Sequence, residues 1–210
     1  MKELKLSTEI NLTLDKIRAQ HTAAVARGLE SIDQTNFQQA ADMICKAIEE
    51  QRNIYTIGNG ASASIAQHWA CDYTKGSSQL DPKNDKFLKV RVISLAANIP
   101  LMTAISNDIS YDDVYSYQLE RIGNPGDILI TISSSGNSPN VVKAIEAAIN
   151  EKMGVITLTG FGGGMSKAMA DQYFQGVNLH VDCPEYEAAE DCHQAIMHMI
   201  AKYIRQTMWK

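Results

Sequence analysis

Three sets of residues in this 210-residue chain carry side chains that can do chemistry. His68 and Asp72 are four residues apart in a stretch with helical periodicity, so they share one helix face. His198 lies in a long C-terminal helical stretch, with Glu190 and Asp191 upstream, while His193, five residues before it, faces elsewhere and is expected at the surface or an interface. Imidazoles and carboxylates exchange protons near neutral pH, and two of each are a plausible zinc donor set. The third set is Ser133-Ser134-Ser135-Gly136-Asn137-Ser138-Pro139-Asn140, which directly follows an apolar run. Ser138 is placed to cap a helix whose first residue is Pro139. Clustered hydroxyls and free N–H groups at a helix start can hold a phosphate without any lysine.

A second loop, Gly58-Asn59-Gly60-Ala61-Ser62, also leads from a β-rich run into a helix, with Ser62 as the expected N-cap. It is not the dinucleotide fingerprint GxGxxG, because the third glycine is missing, and GxxxxGK[ST] is absent. A third loop, Thr157–Met165, contains four glycines and reads as a permissive turn bordering the same region.

These loops need elements to position them. Five β-rich runs are expected at Asn53–Gly58, Val90–Leu95, Asp127–Ile132, Gly154–Thr159 and Val177–Asp182. Several are apolar at consecutive positions, as in strands buried on both faces. Helical stretches separate them at about Ser62–Lys75, Leu101–Ser106, Asp112–Arg121, Ser138–Asn150 and Met165–Ala170, and a last helix spans about Tyr186–Met208. This alternation predicts an α/β fold with a five-stranded parallel sheet flanked by helices, and ligands at the carboxyl ends of the strands. Residues 1–51 read as two amphipathic helices, the first with Ile10, Leu14 and Ile17 on its apolar face and the second with a capping box at Thr35 and Gln38, that pack on the domain or on a second subunit. Residues 52–210 form the core of the single domain. Gly76–Asp85 is the most loop-like stretch, a surface excursion.

Composition narrows the function classes. Charged residues make up 20% of the chain and the net charge is −5, so no global basic field attracts nucleic acid or an acidic membrane. Cys45, Cys71, Cys183 and Cys192 form no CxxC pair and are expected as reduced, mostly buried thiols. The N-terminal stretch is too polar for a signal peptide, and the chain is expected to be cytoplasmic.

Several segments together resemble one family. GNGASA with AQH after the first strand, TAISND, PGDILITIS with ISSSGNSPNVVKAIEAA, and VITLTGFGGGMSKAMAD are similar to the phosphoheptose isomerases of the sugar isomerase (SIS) family. The similarity extends over roughly residues 35–205. SxSGxS at a strand end is characteristic of SIS domains, and SPN with AQH points to this branch. The resemblance implies a homotetramer with sites between subunits. It implies conversion of sedoheptulose 7-phosphate into a heptose 7-phosphate aldose that feeds lipopolysaccharide heptose synthesis. It also implies that Ser133, Ser134, Ser135 and Ser138 bind the phosphate, helped by Asn59 and Ser62. In the family, the AQH histidine and a glutamate four residues later meet a glutamine and a histidine of the last helix. Those four ligate zinc, and the glutamate and last histidine are the acid/base pair. The matching positions are His68, Asp72, Glu190 and His198, with Asp191 as second choice for Glu190.

The chain departs from the family at several of these positions. Asp72 replaces the glutamate and Glu190 the glutamine. Gly76 stands where the family has a substrate-contacting arginine. Asn98, beside Pro100, replaces an aspartate of the sugar-binding shell. The alternative to an isomerase is a non-catalytic SIS module that binds a sugar phosphate or a protein partner, as a relative that binds the replication initiator does. That relative lacks the catalytic histidine, whereas this chain keeps both His68 and His198.

Overall fold

The computed structural model describes residues 13–77, 79–81 and 86–208. Helix α1 (Leu14–Glu30) starts at Thr13, whose hydroxyl accepts the Lys16 N–H. Helix α2 (Gln34–Glu49) starts at Asp33, whose carboxylate accepts the Asn36 N–H at 2.9 Å. The capping box expected at Thr35 is not the helix start: Asp33 has already opened the helix, and Thr35 lies inside it. Ile10, part of the expected apolar face of α1, lies outside the described residues.

From Asn53 onward strands and helices alternate. Strand β1 (Asn53–Gly58) leads into α3 (Ala61–Gly76), and a short antiparallel pair follows, β2 (Gln79–Asp81) with β3 (Lys86–Leu88). Of the expected surface excursion, Gly76 belongs to the end of α3 and Gln79–Asp81 is a strand paired with β3. Then come β4 (Arg91–Ser94), α4 (Ile99–Asp108), a 3-10 turn at Tyr111–Asp113, α5 (Ser116–Ile122), β5 (Ile128–Ile132) and α6 (Pro139–Asn150). The chain continues through β6 (Gly154–Thr159), α7 (Gly164–Gln172) and β7 (Gly176–His180) into α8 (Tyr186–Thr207).

The main sheet has five parallel strands in the order β4-β1-β5-β6-β7. Every residue of β5 and β6 is buried, which explains why all but Thr131, Thr157 and Thr159 are apolar. Side chains alternate between two cores. Ile128, Ile130 and Ile132 join residues of α2, α3 and α8 on one face, and Leu129 joins residues of α5 and α6 on the other.

This topology has a switch point. From β1 the chain crosses to β4 on one side, then returns to β5 on the other. Helix α3 leaves β1 over one face and α6 leaves β5 over the opposite face. The carboxyl ends of β1 and β5 therefore frame a crevice, where open α/β sheets place their ligands.

The two N-terminal helices differ in how they pack. Helix α2 buries Ala40, Ala41, Ile44, Ala47 and Ile48. Helix α1 buries only Ala24 and Gly28 and lies along α8, while Leu14 and Ile17 stay exposed. Of the four thiols, Cys183 and Cys192 are buried, Cys45 is half-buried and Cys71 is exposed, so the expectation of mostly buried thiols holds for two.

Candidate active site

Helix α3 sets the first part of the site. Its apolar face buries Ile65, Ala66, Trp69 and Tyr73. Trp69 and Tyr73 stack at 5.2 Å, and the Tyr73 hydroxyl donates to the Met197 carbonyl of α8 at 3.3 Å. This packing fixes α3 against α8 and turns His68 and Asp72 toward Gln194 and His198. Asp72 Oδ1 lies 3.3 Å from His68 Nε2, and Asp72 Oδ2 lies 3.7 Å from His198 Nε2. The imidazoles stand edge to face, with centroids 5.2 Å apart. The Gln194 amide bridges them, with Nε2 2.7 Å from His68 Nδ1 and 3.2 Å from His198 Nε2. The His68, Asp72 and His198 side chains all keep contact with solvent, Asp72 the least of the three at 34%.

Among the described residues, His68, Asp72 and His198 form a group whose ligand-type atoms all lie within 4.8 Å of one another. Two imidazoles and one carboxylate are the donor types of a catalytic divalent-metal site, which keeps a further position for water or substrate. The residues present fit such an ion.

Glu190 does not join this group. It stands eight residues before His198, about 12 Å along the helix at 1.5 Å per residue. Gln194, one turn nearer, occupies the space between the imidazoles. Burial, with Glu187 and Asp191 nearby, raises the Glu190 carboxyl above the usual range. The second choice, Asp191, faces away and pairs with His21 of α1 at 2.7 Å.

The serine loop follows β5. Ser133 and Ser134 are buried, and the Ser134 hydroxyl has no partner within the protein. Ser138 caps α6 by backbone conformation alone, and its side chain makes no capping bond. Both hydroxyls are therefore uncommitted at the start of a 12-residue helix, where N–H groups and the helix dipole favour an anion. Gly136 sits at φ +67, and a Cβ there would overlap the Gly163 carbonyl oxygen, so only glycine permits this close approach. The Gly136 carbonyl accepts the Ser166 N–H and hydroxyl, and Asn137 Oδ1 accepts the Met165 N–H at 2.9 Å. The third loop is thus joined to the serine loop.

Across the crevice, Asn59 and Asn140 pair through both amide groups, and the Tyr111 hydroxyl donates to Asn59 Oδ1 at 3.1 Å. Ser62 is not the N-cap of α3. Gly60, at φ +55, takes that place, and Ser62 is buried one residue inside the helix. Asn98 caps α4, its side-chain oxygen accepting the Leu101 N–H at 3.2 Å. It lies at the carboxyl end of β4, separated by β1 from the serine loop.

Sequence reasoning gave no individual role to Gln194, Asn140 or Tyr111, and it misplaced His193. Gln194 is four residues before His198, a spacing that was there to be read. Asn140 and Tyr111 reach Asn59 only through the tertiary fold. His193, expected at the surface or an interface, is fully buried, and burial pushes its imidazole down to about 4. Gly76 has a spatial counterpart too: a Cβ there would lie 3.7 Å from Arg205 Nη1, so an arginine from α8 borders that position.

The SIS domain family model matches residues 19–160. A phosphoheptose isomerase of Helicobacter pylori is 35% identical over 89% of this chain and 91% of its own length. One from Shewanella frigidimarina is 32% identical over 93% and 96%. The solved structure of phosphoheptose isomerase GmhA from Neisseria gonorrhoeae superposes with a TM-score of 0.82 at 32% identity, covering 93% of this chain and all of that one. A phosphoheptose isomerase structure from Francisella tularensis gives 0.79 at 27% identity. With its parallel sheet, serine loop and His–Asp–His group, the chain belongs to the SIS domain family, in the phosphoheptose isomerase branch.

Proposed function

We propose that this protein isomerises sedoheptulose 7-phosphate to a heptose 7-phosphate aldose, with Asp72 and His198 moving the proton. The observation that carries the reading is that the two oxygens of one carboxylate face two imidazoles. Aldose–ketose interconversion moves a proton between C1 and C2 through an enediolate, which needs a base, an acid and polarisation of the carbonyl. Asp72 Oδ1 lies 3.3 Å from His68, whereas Oδ2 stands 3.7 Å from His198, beyond hydrogen-bond distance, so Oδ2 is the oxygen that exchanges a proton with the substrate carbon. His198 serves the oxygens. Gln194 orients both imidazoles and donates hydrogen bonds.

The metal assigned to His68, Asp72 and His198 is one Zn²⁺ per site. When bound it supplies Lewis-acid polarisation of the carbonyl and stabilises the enediolate oxygen. The phosphate is assigned to Ser133, Ser134, Ser135 and Ser138, with Asn59 and Ser62 shaping the facing loop. Asn98 remains assigned to the sugar-binding shell at the neighbouring strand end.

The working form is assigned as a homotetramer with sites between subunits. Leu14 and Ile17 of α1 and Met199 and Tyr203 of α8 are exposed in the single chain and would be covered in such an assembly. No described helix is long and apolar enough to cross a membrane, and the assigned place of action is the cytoplasm. The assigned product enters heptose synthesis for lipopolysaccharide. Incubation with sedoheptulose 7-phosphate, followed by carbon NMR of the sugar, tests the reaction. A new aldose C1 signal is expected, and an unchanged spectrum at enzyme-level concentrations rejects it.

A further inference from the structure

Among the described residues, three that are not glycine have positive φ: Gln51 (+56°), Lys152 (+58°) and Phe161 (+49°). The first two end helices. Gln51 N–H donates to Ile48 C=O and Arg52 N–H to Ala47 C=O, and Lys152 and Met153 repeat the pattern on Ile149 and Ala148. A left-handed residue at that position lets the chain satisfy the last helical carbonyls. Phe161 ends no helix. It is the first central residue of a turn closed by Gly163 N–H on Gly160 C=O at 2.8 Å. Glycine normally fills that position when φ is positive, and a bulky side chain is strained there. Glycines stand on both sides, yet the aromatic residue occupies this position.

Such strain persists only where the surroundings enforce it, and it concentrates at functional sites. Phe161 N–H donates to the Cys183 carbonyl at 3.0 Å, and its ring packs on Tyr186 with centroids 4.7 Å apart. Tyr186 opens α8 and is 56% exposed. The turn is attached to the serine loop, since Gly160 N–H donates to Ser134 C=O at 2.9 Å and Ser166 to Gly136 C=O. On α8, Tyr186, Glu190, Gln194 and His198 follow at four-residue steps. The ring pair therefore stands beside the serine loop, at the head of the row that leads to the imidazoles.

We infer that Phe161 and Tyr186 form an aromatic wall of the substrate cleft, against which the C–H face of the phosphorylated sugar packs. This inference rests on the phosphosugar reading above. Ligand pockets are largely apolar and aromatic with a few placed polar groups, and the serine loop supplies only the polar part. The wall contacts the carbon chain and not the phosphate. It therefore distinguishes a sugar phosphate from inorganic phosphate.

The test compares wild type, Phe161→Gly, Phe161→Leu and Tyr186→Ala by calorimetric titration with sedoheptulose 7-phosphate and with inorganic phosphate, together with thermal unfolding. Phe161→Gly is expected to weaken sugar-phosphate binding about three- to tenfold, as loss of an aromatic contact does. Phosphate affinity should stay unchanged, and Tm should not fall, because glycine relieves the positive φ. Phe161→Leu should lose less, and Tyr186→Ala should follow Phe161→Gly in affinity. Sugar-phosphate affinity within twofold of wild type in Phe161→Gly overturns the proposal. Equal weakening of both ligands also overturns it, because the ring would then only brace the serine loop. The readout is binding, so a wild type that binds the sugar phosphate without turning it over refutes the isomerase reading and leaves the wall to be judged by the same titrations. A wild type that binds inorganic phosphate but no sugar phosphate overturns both.

Discussion

Asn59 and Asn140 each donate an amide N–H to the other's side-chain oxygen at 2.9 Å. The pair spans the carboxyl ends of two adjacent strands, β1 and β5, where their following helices part to opposite faces of the sheet. Asn140 is 1% exposed, so its amide finds no water to replace a lost partner. Because this pair couples the loops that follow β1 and β5, Asn140→Ala is expected to destabilise the protein by about 1–3 kcal/mol, the cost of leaving a buried amide unpaired. It should also raise KM for the sugar phosphate severalfold while kcat changes little. Urea unfolding and steady-state kinetics check this. Tyr111→Phe removes one hydrogen bond at a half-exposed position and should cost no more than about 1 kcal/mol.

His198→Ala and Asp72→Asn should each lower kcat by about 10²–10⁴-fold, the usual contribution of a positioned acid or base. Their Tm should stay near wild type, because both side chains are substantially solvent-exposed and neither belongs to the packed core. Retention of more than a tenth of wild-type kcat by either variant contradicts the assignment.

Gln194 and Glu190 make opposite predictions for the metal. Gln194→Ala removes the amide between the imidazoles and should weaken zinc retention about 10–100-fold, as loss of a group that orients metal ligands typically does. Glu190→Gln should leave retention within about threefold of wild type. Zinc content after dialysis against a graded chelator series measures both. Loss of zinc in Glu190→Gln, with retention in Gln194→Ala, would return the ligand role to Glu190.

His193 gives the fold a pH dependence. Burial holds its imidazole down at about 4, below the usual value of 6.5, so the unfolded chain binds the proton more readily than the folded one. Stability from this residue is complete above pH 6.5 and is lost as pH falls from 6.5 toward 4, by an amount on the order of 3 kcal/mol. Chemical denaturation of wild type and His193→Gln between pH 4 and 7.5 should show a steeper loss in wild type. Parallel curves would rule this source out.

The strand pattern was legible because β1, β5 and β6 are buried on both faces and are therefore mostly apolar and β-branched, with threonine as their buried polar residue. The serine loop was legible because its features are local: hydroxyls, glycine and a Pro-started helix are contiguous in sequence. Where contacts cross the fold, sequence spacing gave less. Glu190 matched the family spacing, but an eight-residue step on a helix leaves it about 12 Å from His198, and Gln194 is the nearer side chain. His193 was read as a surface residue because its five-residue step turns it away from His198. That face is nonetheless the apolar one, since Ala189, Ile196, Met197 and Ile200 stand four before and three, four and seven after it, all buried. The place of Arg205 beside Gly76 depends on how α8 lies on α3, which a sequence pattern does not encode.

Proton transfer at the Asp72 site is tested most directly by deuterium incorporation. Wild type and Asp72→Asn are incubated with sedoheptulose 7-phosphate in D₂O, and the carbons next to the carbonyl are followed by NMR. Wild type should form the aldose with deuterium at the carbon that gains the proton, and Asp72→Asn should exchange at least about 100-fold more slowly. Equal exchange rates in the two proteins would contradict the account, because the proton would then be carried by a group other than Asp72.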